Sequence, residues 1–122
     1  MIEQPPSLPL KPVIWVGSSL KDFRGFPDPV KDEIGYVAQQ GGKHSDAKPL
    51  KGFGGAGVLE VVGNDRGDTF RTIYTVRLAS AVYVLHAFQK KSKTGRKTPE
   101  NEIELVKSRL IQAEQIAKER KP

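Results

Sequence analysis

Seven basic residues, Arg71, Arg77, Lys90, Lys91, Lys93, Arg96 and Lys97, fall between Asp68 and Glu100 with no acid among them. His86 lies in the same span, four positions before Lys90. This set suits a phosphate-bearing partner: arginine offers a planar fork of donors, lysine a compact charge, and histidine a group that exchanges protons near neutrality. Metal-free RNA cleavage needs a base for the 2′-hydroxyl proton, cations for the phosphorane-like transition state and an acid for the departing 5′-oxygen. Arg, Lys and His can supply all three. Each residue also has a plainer role: the arginines as partners of helix carboxylates, His86 as a half-buried core side chain, and the lysines as solvated surface.

Other chemistries lack their residues. There is no cysteine, and His44 and His86 have no metal-ligand spacing, so neither a thiolate site nor a metal or other cofactor is expected. Asp65 and Asp68 read as turn residues in Asn64-Asp65-Arg66-Gly67-Asp68. The glycines of Phe53-Gly54-Gly55-Ala56-Gly57 precede a strand instead of joining a strand to a helix, which removes the phosphate-cradling geometry. No apolar run is long enough for a membrane helix and the N-terminus has no signal-peptide order, so a cytoplasmic protein without membrane attachment is expected. The net charge of +6 favours an anionic partner.

The 122 residues suffice for one core. Residues 1–12 carry Pro5, Pro6, Pro9 and Pro12 and read as a loose leader ahead of a single domain, 13–122. Val13 to Val16 form a short edge strand, with Trp15 as a core anchor and a short helix following over Leu20 to Arg24. Phe26-Pro27-Asp28-Pro29 opens a second helix with Val30, Ile34, Val37 and Ala38 on one stripe, closed by Gly41-Gly42. Lys43 to Gly52 reads as a loop that adds Lys48 and Lys51 to the basic face. Strands follow at Val58 to Val62, Phe70 to Arg77 and Val82 to Phe88, the first two separated by a hairpin loop over Gly63 to Thr69. Alternation places Arg71 and Arg77 on one face of their strand, and Val82, Val84, His86 and Phe88 on one face of theirs. Tyr74, Tyr83 and Phe88 are available to stack on bases, although strand aromatics more often belong to the core. Thr98 caps a last helix with Pro99 in its first turn and Ile103, Val106, Leu110, Ala113 and Ala117 along one stripe. The expected class is α+β: a small antiparallel sheet, made of a three-stranded meander and an N-terminal edge strand, packed with N-terminal helices and a C-terminal helix.

In this order the segments Lys48-Pro49-Leu50-Lys51-Gly52-Phe53-Gly54-Gly55, Phe70-Arg71-Thr72-Ile73-Tyr74, Leu85-His86-Ala87-Phe88-Gln89-Lys90-Lys91-Ser92-Lys93-Thr94 and Thr98-Pro99 give a chain that resembles the RelE/ParE toxin superfamily, and within it the HigB-like, phage-derived branch. The resemblance implies the toxin of a type II toxin–antitoxin pair. Such a toxin enters the ribosomal A site, cleaves mRNA there as an endoribonuclease, and is neutralised by a helix-turn-helix antitoxin. It also implies that Arg71 stabilises the scissile phosphate and that Lys91 is the basic leaving-group residue. Lys48, Lys51, Arg77, Lys90, Lys93, Arg96 and Lys97 are then the RNA-binding set, and assembly is as a homodimer or a toxin–antitoxin hetero-oligomer.

Two features depart from RelE-like enzymes. The first meander strand, Val58-Leu59-Glu60-Val61-Val62, has no lysine to act as base, and no aromatic residue follows Phe88. Either His86, Lys48 or Lys51 takes the place of that base, or the protein is not a nuclease. Two other functions then stand beside cleavage: a ParE-like gyrase inhibitor, and a non-catalytic nucleic-acid-binding module.

Overall fold

The computed structural model describes residues 12–39, 47–54, 57–78, 81–90 and 98–120, with backbone only for 35–39. Its elements are β1 (Val13–Trp15), α1 (Ser19–Arg24), α2 (Asp28–Gln39), β2 (Ala47–Pro49), β3 (Val58–Asp65), β4 (Asp68–Thr75), β5 (Val82–Lys90) and α3 (Glu100–Glu119). The five strands form one sheet in the order β1-β5-β4-β3-β2. The α+β class agrees with expectation, but the sheet has one strand more than the four expected and is not wholly antiparallel, because the N-terminal edge strand β1 pairs parallel to β5. Ala47–Pro49, inside the segment read as a loop, pairs with Leu59 to Val61 as a second edge strand. Three residues that include two lysine-loop positions and a proline carry almost no strand signal, and only the neighbour's free edge recruits them.

Helices cover both faces of the sheet. On one side, Phe26, Val30 and Ile34 pack on Leu59, Val61, Phe70, Tyr74, Val82, Val84 and Ala87. On the other, Val106, Ala113 and Ala117 of α3 pack on Val58, Ile73, Tyr83, Leu85 and Phe88. Burial on both faces explains why the central strands read as near-continuous apolar runs. Trp15, Phe23, Phe26 and Phe70 extend the first core as a chain of tilted ring contacts 4.9–5.6 Å apart, so Trp15 anchors as expected. The contributions of Val37 and Ala38 lie outside the described side chains.

Two strand predictions need correction. The β3–β4 hairpin closes on Arg66 and Gly67 alone, with φ of +52° and +86°, so both strands run further than the hydrophobic pattern shows. In β5 the simple alternation fails. Tyr74 pairs with Val84 but Ile73 pairs with His86, leaving Leu85 as an extra, bulged residue. Val82 and Val84 therefore face α2, while His86 and Phe88 join Tyr83 and Leu85 on the α3 face.

Tyr74 and Tyr83 are fully buried and belong to the core, not to a stacking surface. Burial pushes the Tyr74 phenol up to about 12 from its ordinary 10.0, and its hydroxyl has no hydrogen-bond partner among the described residues. The folded state thus holds that proton more tightly than the unfolded chain. The associated stability is complete below pH 10 and is lost as pH rises toward 12. Tyr74→Phe should leave stability near neutrality within about 0.5 kcal/mol of wild type, since no native hydrogen bond is lost. Thermal melts between pH 9 and 11.5 should show a shallower alkaline decline in this variant than in the parent.

Candidate active site

The α3 face of the sheet carries a polar cluster where a core would otherwise continue. Glu60 lies on β3, Arg71 on β4, and Phe88 and Lys90 on β5, with Arg71 opposite Val62 on one side and Phe88 on the other. Direct and diagonal neighbours on one face of a sheet are within reach of long side chains. Arg71 Nη1 accordingly donates to Glu60 Oε1 at 2.9 Å, and the two side chains are only 10% and 13% exposed. Thr98, just before α3, donates from Oγ1 to Glu60 Oε2 at 2.7 Å.

The β5 bulge determines which residues join this cluster. Regular alternation from Val84 would have aimed Lys90 at α2; the extra residue at Leu85 returns it to the face of Arg71. Lys90 is buried. Burial holds its ammonium below the usual lysine range, the charge of Arg71 adds to the effect, and Glu60 opposes it. Lys90, Arg71 and Glu60 are thus electrostatically coupled on one face of the sheet.

His86 is on the same face but is fastened to α3. Its Nε2 meets Glu102 Oε1 at 2.8 Å, its Nδ1 lies 3.4 Å from Arg109 Nη1, and its ring stacks on Phe88 with centroids 4.8 Å apart. An arginine can only donate, so Nδ1 accepts and Nε2 carries the proton toward Glu102. Both ring nitrogens are engaged by the helix. His86, Ala87, Phe88 and Gln89 also line a cleft of about 350 Å³ with Asp22, Gly25, Phe26 and Phe70.

The other residues expected at the site divide into three groups. Lys48 is exposed and sits opposite Glu60 on the edge strand, and so joins the cluster. Lys51 is exposed in the turn after β2. Arg77 is a correction: β4 ends at Thr75, and Arg77 lies over Gly57 beside Leu78, Ile111 and Glu114, at the opposite end of β4 from Lys90. Lys91, Lys93, Arg96 and Lys97 lie outside the described residues. Glu60 and Thr98 were missed as site residues. The signal for Glu60 is an acid within the otherwise apolar stretch Val58 to Val62. Thr98 is also a correction as a helix cap, because Pro99 holds the cap position and Thr98 turns to Glu60.

A family of phage-derived, Gp49-like proteins matches this chain over residues 21–111. Among solved structures, that of the E. coli toxin RelE, a double arginine-to-alanine mutant in the free state, superposes with a TM-score of 0.55. The match has 14% identity and covers 85% of this chain and 97% of that one. No curated protein matches the sequence.

The buried ammonium of Lys90 opposes folding wherever it is charged. Because its folded value is lowered, stability should rise with pH as Lys90 loses its proton, and this increment should be absent from Lys90→Met. Calorimetry across pH 7 to 10 checks the difference.

Proposed function

The chain belongs to the Gp49-like family of phage-derived proteins, and from that membership and the RelE fold we propose that it is the toxin of a type II toxin–antitoxin pair. It is of the RelE/ParE superfamily's HigB-like branch, and it cleaves mRNA in the ribosomal A site, in the cytoplasm. The observation that carries this reading is the convergence of Glu60, Arg71 and Lys90 on one sheet face, a carboxylate and two cations in a half-buried patch.

The chemistry follows from the groups. Glu60 takes the proton of the ribose 2′-hydroxyl, and the 2′-oxygen attacks the adjacent phosphorus. Arg71 faces the non-bridging oxygens, on which charge accumulates in the transition state. The P–O5′ bond breaks, and Lys90, whose lowered affinity for its proton makes it a stronger acid, protonates the leaving oxygen. The products are a 2′,3′-cyclic phosphate and a 5′-hydroxyl, with no net consumption of water at this step. Glu60 fills the place of the base that the first meander strand otherwise lacks. His86, held through both ring nitrogens, supports the patch through Phe88. Lys91 remains a second acid, and Lys48, Lys51, Lys93, Arg96 and Lys97 hold the RNA backbone. The partner that silences the toxin is a helix-turn-helix antitoxin.

Ribosomes programmed with mRNA and mixed with the purified protein should yield fragments with 5′-hydroxyl ends. Glu60→Gln, which preserves shape, should cut on the order of 10²-fold more slowly, and Arg71→Ala on the order of 10²–10³-fold. mRNA left intact at every A-site codon would overturn the reading, and inhibited gyrase supercoiling in the same preparation would place the chain with the ParE branch instead.

A further inference from the structure

A threonine directly ahead of a long helix ordinarily caps it, its hydroxyl satisfying one of the open N–H groups of the first turn at a gain of about 1 kcal/mol. Thr98 does not. The helix α3 begins after Pro99 without any side-chain cap, and its first bonds run from the Glu102 and Ile103 amides to the Pro99 carbonyl. The Thr98 hydroxyl reaches instead across 38 positions of sequence to Glu60 Oε2, at 2.7 Å.

This bond has a specific effect on the carboxylate. Arg71 holds Oε1 and Thr98 holds Oε2, so among the described residues each oxygen meets a donor from a different element, and the two approach from different directions. A carboxylate beside a guanidinium tends to rotate until both oxygens face the fork, because the bidentate pairing is the stronger one. A carboxylate in that pose presents its lone pairs to arginine and not to a ribose. The hydroxyl of Thr98 opposes the rotation. We infer that Thr98 is a positioning residue: it acts through Glu60, keeping its carboxylate in the pose that accepts the 2′-hydroxyl proton. The inference rests on the reading of Glu60 as the base and extends it to a residue that does not touch RNA.

Two variants separate this role from packing. Thr98→Val keeps the branched shape without the hydroxyl, and Thr98→Ser keeps the hydroxyl without the branch. In the ribosome assay, Thr98→Val should lose about tenfold in kcat at unchanged KM, as expected for a small misplacement of a catalytic group. Thr98→Ser should retain the wild-type rate and melting temperature, whereas Thr98→Val, which removes a hydrogen bond to a carboxylate, should melt a few degrees lower yet remain folded at the assay temperature. Wild-type kcat in Thr98→Val, an equal loss in Thr98→Ser, or a Thr98→Val loss that falls on KM would each overturn the inference while leaving cleavage itself established. A wild-type protein that does not cut would instead remove the function and this role with it.

Discussion

A single guanidinium joins the last helix, the bulged strand β5 and the turn that leads into α1. Arg109 of α3 donates from Nη1 to the carbonyl of Leu85 at 3.0 Å and from Nη2 to Ser18 Oγ at 2.8 Å, and Ser18 in turn donates to Asp22 at 2.9 Å. Leu85 is the extra residue of the β5 bulge, so the arginine satisfies a carbonyl at the place where the ladder is interrupted. A buried guanidinium is tolerated only when its donors are met, and here acceptors from α1 and β5 meet them. Gly17, at φ +60°, leaves room for the group: a Cβ there would lie 2.7 Å from Arg109 Nε. The bulge turns Lys90 toward Arg71, and Arg109 underwrites the bulge. Which residues share the face of Arg71 thus depends on a side chain that stands outside the Glu60–Arg71 cluster.

Within that face, each carboxylate meets a donor at short range. Glu60 partners Arg71 and offsets part of the cost of burying Lys90, while Glu102 partners His86. Glu60 thus faces two cations, Arg71 and Lys90, where the sheet would otherwise continue its core, beyond the apolar contacts of Ile73 and Leu85 with α3.

Much of this was legible in the chain. Strand and helix order, the α3 stripe and the place of Arg71 followed from periodicity, because each rests on contacts that repeat along an element. What was not legible arose where one element answers to another. The bulge is invisible to alternation, since nothing in Val84-Leu85-His86-Ala87 marks an extra residue until β4 sets the register. Arg109 falls on the buried stripe between Val106 and Ala113, yet a lone arginine in a charged helix reads as solvated. The acid-free span from Asp68 to Glu100 is acid-free only along the chain. In space Glu60 enters it from β3 and Glu102 from α3.

The parallel pairing of β1 with β5 also orders events in time. Val13 to Trp15 register against Val82 to Val84, so the first strand to leave a ribosome has no partner until most of the chain has followed it. The β3–β4 hairpin, closed by two residues, can form long before. Glu60 and Arg71 meet early through that hairpin, whereas Thr98 and Arg109 arrive with the final helix. The Glu60–Arg71 pair therefore waits on the last segment of the chain for the Thr98 hydroxyl that meets its second oxygen.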